Sequence, residues 1–116
     1  MPDLVLINRN RVNKNPSKIE GIVRNPRGSV DYSTVTTTYP FYFTLQIDDE
    51  KSIPQSFRNF PGSILDGQRI RVYHHGEPTS AFAVGFQLLD NNGGVLYSRF
   101  LEDYGERYSF VEEELG

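Results

Sequence analysis

The stretch that decides the fold reads Tyr39-Pro40-Phe41-Tyr42-Phe43-Thr44-Leu45-Gln46-Ile47. Large apolar side chains occupy every second position, and smaller or polar residues and a tyrosine alternate with them. This period of two is typical of a β-strand that buries one face. Proline cannot donate to a ladder, so Pro40 belongs near the strand start or at an edge. We predict a strand at Tyr39–Ile47 with Tyr42 on its outward face.

The composition of the whole chain favours strands as well. The 116 residues include eight Phe and seven Tyr, whereas Ala occurs only at Ala81 and Ala83. Aromatic and β-branched residues suit a pleated surface, and the ten Gly and seven Pro supply turns. The length fits one domain. Because the chain has no cysteine, disulfides, thiolate zinc sites and thiol nucleophiles are excluded.

Apolar runs separated by turn residues predict the other strands. Gly21 predicts a bulge or a bend in the strand that contains it. Asn25 to Ser29 reads as a turn, Ser63 to Gly67 as one helical turn, and Asp90 to Gly94 as a hairpin loop. The predicted strands are Ile19–Val23, Ser52–Phe60, Gln68–His74, Ala81–Leu89 and Val95–Leu101, and Leu4–Ile7 is a further candidate.

Charge is unevenly distributed although the net charge is only −3. Residues 1–30 carry six basic and two acidic side chains, and residues 102–116 carry six acidic and one basic. We therefore expect a β-domain at 1–101, followed by an acidic tail or short helix at 102–116. The apolar run Leu4–Ile7 is too short for a signal sequence, which favours a cytoplasmic location.

Three features together resemble an OB-fold. They are the glycine-bearing strand Ile19–Val23, the alternating strand Tyr39–Ile47 that ends in Asp48-Asp49, and the run Ile64–Tyr73 followed by Ala81–Leu89. The resemblance spans residues 19–89 and implies an all-β, five- to six-stranded antiparallel barrel. Another small barrel or a β-sandwich is the alternative. The segment before Gly67 is short for the helix that usually precedes the fourth strand, and Val95–Leu101 lies outside the pattern.

The OB-like interpretation also implies a candidate binding face. Such folds bind single-stranded nucleic acid by stacking bases on aromatic side chains next to basic ones. The alternative is that these tyrosines cover the sheet and that the arginines are solubilising or pair with acids across it. The candidate residues are Tyr42, Arg58, Arg69, Arg71 and Tyr73, with Arg24 nearby; Phe57 and Phe60 have no assigned face.

No group in the sequence predicts catalysis. Adjacent residues of a strand point to opposite faces, so His74 and His75 cannot easily chelate one metal, and we expect them in a surface turn. The carboxylates at Asp48-Asp49-Glu50 and Glu112-Glu113-Glu114 fall in a turn and a tail, where solvent levels their properties. No phosphate-binding loop or nucleophile motif occurs. We predict a non-enzymatic protein without a cofactor or a metal.

Two functions remain as hypotheses. The first is a protein-interaction or structural module, with self-association as one form of it, that uses an unpaired strand edge at Pro40–Gln46 or Val95–Leu101. The second is single-stranded nucleic-acid binding through the OB-like face. The acidic net charge and the acidic segment at 102–116 oppose a polyanion, so the protein partner or self-association is favoured.

Overall fold

The computed structural model of the chain describes residues 4–8, 17–32, 35, 37–74, 83–101 and 108–112. These residues contain strands and no helix, which confirms the all-β class. Within the predicted tail, residues 108–112 form a strand. The strands are β1 (Leu4–Asn8), β2 (Ser17–Gly28), β3 (Asp31–Tyr32), β4 (Thr37–Thr38), β5 (Phe41–Gln46), β6 (Ser52–Phe57), β7 (Arg69–His74), β8 (Ala83–Leu89), β9 (Val95–Phe100) and β10 (Tyr108–Glu112).

Six of the strands form one antiparallel sheet in the order β6-β5-β2-β7-β8-β9. The two remaining pairs are β1 with β10 and β3 with β4, both antiparallel. An all-β antiparallel arrangement with a strand number inside the predicted range of five to six is thus confirmed. Its closure into a barrel is not seen in the described part of the chain, because β6 and β9 end the order without pairing with each other.

Strand β5 follows the alternation that predicted it. Phe41, Phe43 and Leu45 are buried, and Tyr42 between them is 43% exposed. The strand is shorter than predicted, since Tyr39 lies outside it and is partly exposed. The carbonyl of Tyr39 accepts a hydrogen bond from the backbone N–H of Phe60 at 2.8 Å, which ties the start of β5 to the segment after β6.

Strand β2 continues through the segment that was predicted to turn. It pairs with β7 over residues 17–22 and with β5 over residues 22–28. A register shift between Arg24 and Arg27 absorbs the irregular part, where Asn25 has a φ of 52°. Asparagine tolerates this left-handed conformation better than most residues, so the strand is bulged and not ended there.

Gly21 lies where β2 changes partners, and its lack of a side chain has a specific reason. A Cβ at this position would lie 2.5 Å from the backbone oxygen of Gln46 and 2.9 Å from Cδ1 of Leu45. The close approach of β5 therefore requires glycine. The register shift expected near this glycine occurs further along β2, after Arg24.

A phenylalanine cluster shows how strongly the sheet curves. Phe57 on β6 stacks against Phe86 on β8 with ring centroids 5.2 Å apart, although several strands separate β6 from β8 in the sheet. Phe60 packs edge-on against Phe57 and Phe86 at 5.9 and 5.4 Å. Phe41 and Phe43 complete the cluster. The inner faces of distant strands thus meet around one core, which contains both phenylalanines that the sequence left unassigned.

Of two connections between strands that the sequence predicted, the structure confirms one and contradicts the other. The hairpin between β8 and β9 is closed by a 2.8 Å hydrogen bond from the N–H of Asp90 to the carbonyl of Gly94, as predicted. Residues 63–67 form no helical turn. Instead Asp66-Gly67 makes a tight turn in which Gly67 has a φ of 88°, and the prediction of a helical turn is wrong.

Candidate binding surfaces

Two of the five predicted site residues are buried. Tyr73 is 1% exposed and Arg71 is 5% exposed, so the expectation that both point to solvent is wrong. Arg71 Nε donates to Oε1 of Glu20 at 2.6 Å, and Arg71 also donates to Oε1 of Gln87 at 2.9 Å. The hydroxyl of Tyr73 donates to the same Gln87 oxygen at 2.9 Å. As placed, neither side chain can reach a base or a phosphate.

These groups belong to a polar row that crosses four strands. Glu20 on β2 lies opposite Arg71 on β7, Arg71 lies opposite Gln87 on β8, and Gln87 lies opposite Ser98 on β9. Gln87 is fully buried, and its amide nitrogen donates to Oγ of Ser98 at 3.3 Å. Buried polar groups need such partners, so the row holds the register of the four strands.

The other three predicted residues do not form one surface. Tyr42 is exposed on β5, and Arg58 is exposed directly after the end of β6. Arg69 lies on β7, opposite Ile22 and Leu89, and is half-buried. The structure instead places exposed Arg27 directly opposite Tyr42, a residue that sequence analysis had assigned to a turn.

Acidic groups border the face of β2, β5 and β6 on which Arg27 and Tyr42 lie. Arg24 Nε donates to Oε1 of Gln46 at 2.8 Å, and its NH1 lies 3.7 Å from a carboxylate oxygen of Asp66. A cleft of about 280 Å³ adjoins Arg24. The turn at residues 48–51 lines the cleft, with three carboxylates and one lysine. The charge of this surface is therefore mixed.

The two strand edges were the other candidate surfaces. The segment Pro40–Gln46 is not an edge, because β5 pairs with β2 on one side and β6 on the other; that prediction is wrong. Val95–Leu101 was predicted correctly as an edge. Strand β9 (Val95–Phe100) ends the sheet, and no described strand pairs with its outer side.

The backbone of β9 offers its hydrogen-bonding groups outward at Ser98. The N–H of Leu101 donates to the carbonyl of Val84 at 2.8 Å. Pairs in an antiparallel ladder alternate between bonded and non-bonded. In the register of β8 and β9, Tyr97 and Arg99 then bond to β8, whereas Ser98 directs its N–H and C=O away from the sheet.

Strand β6 forms the opposite edge of the sheet, and the residue at the middle of this edge has no backbone N–H to donate. The N–H of Ile47 donates to the carbonyl of Lys51 at 2.9 Å. The same alternation makes Ser52, Pro54 and Ser56 the outward-facing positions of β6. Pro54 has no N–H, so the middle of this edge cannot donate to an added strand, as is common for protected edges. Edge β9 has no proline and is the more receptive of the two.

Side chains on β9 are also unusually apolar for an exposed edge. Leu96 is 65% exposed and Tyr97 is 46% exposed. Arg99 is the strand's only charged residue, and its guanidinium carbon lies 4.9 Å from the centre of the Phe60 ring. Natural edges are commonly protected by charges or proline, and β9 has little of either.

His74 is buried in β7 and not in a surface turn, so that expectation is wrong; His75 lies outside the described residues. Nε2 of His74 lies 2.6 Å from Oε1 of Gln55, while Nδ1 of His74 has no hydrogen-bond partner among the described residues. Desolvation by burial lowers the pKa of His74 from 6.5 to about 4.

This pKa predicts an acid-sensitive fold. Between about pH 6.5 and pH 4 the unfolded chain binds a proton at His74 that the folded chain does not, so folding stability falls as pH drops through this window. The loss reaches about 3 kcal/mol as the pH falls to the folded-state pKa of about 4. Urea unfolding at pH 7.5 and pH 4.5 measures it. His74→Leu should show a smaller loss, and an equal loss in both proteins would contradict the assignment.

Comparisons with protein-family models, with curated proteins and with solved structures gave no match to this chain. Among the described residues, no three His, Asp or Glu side chains come together as a metal site would require. In the same part of the chain, no helix is long and apolar enough to cross a membrane.

Proposed function

We propose that this protein is a non-enzymatic binding module that recognises a protein partner by adding a strand to the outer edge of β9. The observation that carries the proposal is the outward-facing backbone of Ser98 on an edge strand without proline and with one charge. Strand addition gains affinity from main-chain hydrogen bonds, and neighbouring side chains give specificity. Exposed Leu96 and Tyr97 supply apolar contacts beside the edge.

The rest of the fold supports this role by making β9 a rigid edge. The polar row joins β9 to β8 through Gln87 and Ser98, and Arg99 stacks on Phe60 in the core. A pre-ordered edge loses less conformational entropy on binding than a flexible segment would. Of the two edges of the six-stranded sheet, Pro54 protects β6, and β9 is the one that accepts a strand.

A pair of proline variants tests the proposal. Ser98→Pro removes the outward donor of β9 without removing a backbone ladder hydrogen bond, and Ser56→Pro makes the matched backbone change on β6. Ser98→Pro also removes the Oγ that accepts from Gln87, and Ser98→Ala is the control for that loss. We expect Ser98→Pro to lose the partners that the wild type captures from a cell extract, and Ser56→Pro to retain them. Thermal melts check that both variants fold. Equal capture by wild type and a folded Ser98→Pro protein would contradict the proposal.

The strand arrangement also supports an OB-like interpretation of the sheet. Counting from β2, strands β5 and β6 take the place of the second and third OB strands, with the β3–β4 hairpin inserted between the first two. In OB-folds the face of strands two and three is a ligand-binding surface of a partly open barrel. Tyr42 and Ser56 lie directly opposite each other on this face.

Single-stranded nucleic-acid binding on this face is the second candidate function. The observation that favours it is the direct opposition of exposed Arg27 and exposed Tyr42, which would place a cation beside a stacking ring. Base stacking contributes about 1–3 kcal/mol per base, and the cation would contact phosphate. Asp66 and the acidic turn at residues 48–50 oppose a long strand, so this remains the second candidate.

Fluorescence anisotropy with labelled single-stranded DNA and RNA tests the second candidate. We expect any binding to weaken with salt. If this face is used, Tyr42→Ala should weaken binding roughly tenfold, in keeping with the loss of one stacked base. Tyr32→Ala is the matched control, since Tyr32 is 81% exposed on the β3–β4 hairpin. The absence of binding at low salt would remove this candidate.

A further inference from the structure

We propose that the strand accepted by β9 is β9 of a second copy of this chain, paired antiparallel about a two-fold axis at Ser98. This inference rests on the proposed strand addition and names its partner. A two-fold interface must be self-complementary, since each contact occurs twice. The backbone groups and side chains of β9 are complementary to a second β9 when the two strands pair about Ser98.

The hydrogen-bonding alternation limits the registers. Ser98 faces outward, whereas Tyr97 and Arg99 face β8 through their backbone groups. An added copy must therefore pair outward-facing positions with outward-facing positions. Within the regular stretch from Tyr97 to Phe100, axes at Ser98 or Arg99 satisfy this rule, and axes between neighbouring residues do not. An axis at Tyr97 would pair residues across the register shift that lies between Tyr97 and Val95.

Side-chain chemistry selects among the three axes. An axis at Arg99 places two guanidinium groups directly opposite each other, which is destabilising. An axis at Tyr97 gives Arg99 no complementary group, because the register shift takes the residues before Tyr97 out of the regular alternation. An axis at Ser98 places Arg99 of each copy opposite Tyr97 of the other.

The Ser98 register thus makes two symmetric cation–π contacts. Tyr97 is 46% exposed, and the guanidinium of Arg99 already lies over the aromatic ring of Phe60. Alternation in the regular part of β9 puts Tyr97 and Arg99 on the same face of the sheet. The guanidinium can then lie between Phe60 of its own chain and Tyr97 of the second copy, an arrangement that arginine favours.

Single-cysteine variants test the register, because the chain contains no cysteine of its own. Ser98→Cys should form a disulfide-linked dimer on mild oxidation, since bonded residues on an antiparallel pair have Cα atoms about 5.5 Å apart. Tyr97→Cys is the matched control and should cross-link much more slowly. Faster cross-linking at position 97 would overturn the Ser98 register in favour of an axis at Tyr97.

Two variants of opposite charge at Tyr97 test the same contact without covalent cross-linking. Tyr97→Glu places a carboxylate opposite Arg99 of the second copy and should favour the dimer, whereas Tyr97→Lys should oppose it. Sedimentation over a concentration series should show the wild-type mass rising from 13.3 kDa toward twice that value. The midpoint concentration should be lower for Tyr97→Glu than for Tyr97→Lys. Equal midpoints would overturn the proposal.

The outcome separates this inference from the function on which it rests. A wild type that stays monomeric at every concentration, with no cross-linking at either cysteine, overturns self-pairing. The proposed function then still stands if Ser98→Pro loses captured partners and Ser56→Pro keeps them. If Ser98→Pro changes neither capture nor mass, both proposals fail together.

Discussion

We expect Phe86→Ala to lower the free energy of unfolding by about 3–5 kcal/mol, the usual cost of truncating a fully buried phenylalanine. Phe86 is 0% exposed and contacts both Phe57 and Phe60 at ring separations of 5.2 and 5.4 Å. It joins β8 to β6 and to the segment after it across the curved sheet. Its removal therefore leaves a cavity where distant strands meet.

Urea unfolding followed by circular dichroism measures this loss. Phe86→Leu is the control, because it keeps most of the buried apolar volume and should cost much less. Small domains are commonly stable by only about 5–15 kcal/mol, so Phe86→Ala leaves a small margin. A loss below about 1 kcal/mol would mean that β6 and β8 do not pack against each other as described.

The second large effect concerns the pair of Glu20 and Arg71. The Arg71 side chain is 6% exposed and that of Glu20 is 37% exposed. Glu20→Met removes the carboxylate to which Nε of the buried Arg71 donates, and we expect a loss of about 3 kcal/mol. Arg71→Met leaves a carboxylate that solvent can reach, and Gln87 Oε1 keeps the hydroxyl of Tyr73 as a donor. That variant should lose less stability.

The double variant distinguishes this account from simple loss of packing. Glu20→Met with Arg71→Met removes both charges, so it should be more stable than Glu20→Met alone. Chemical unfolding of the two single variants and the double variant gives the coupling energy. Additive losses would show that the ion pair does not set the cost.

The sequence predicted the strands well where one face is buried and one is solvated. Phe41, Phe43 and Leu45 alternate with exposed or half-buried residues, and both the pattern and the strand are clear. The bulged second half of β2 could not be predicted, since Asn25-Pro26 is also a strong turn signal. A turn and a bulge both use the left-handed conformation of Asn25, and pairing with β5 decides between them.

The binding surfaces were predicted less well, for a reason that lies in β7. Arg71 and Tyr73 alternate with Ile70 and Val72, which reads as an outward face. Strand β7 is central and buried on both faces, and hydrogen bonds to Glu20 and Gln87 satisfy the polar side chains. Those partners lie on other strands, so local sequence cannot reveal them. Of the two edges that the sequence offered, Val95–Leu101 contains the strand at the end of the sheet, whereas Pro40–Gln46 lies inside it, because pairing with β2 and β6 cannot be read from local sequence.

Amide hydrogen exchange at Ser98, resolved by NMR, tests the central claim most directly. In dilute protein we predict fast exchange of the Ser98 N–H between the slowly exchanging amides of Tyr97 and Arg99. At high concentration, where an added strand would occupy the edge, the Ser98 amide should become protected. Protection of Ser98 at every concentration, down to the most dilute, would show that the edge is already covered and would contradict strand addition at β9.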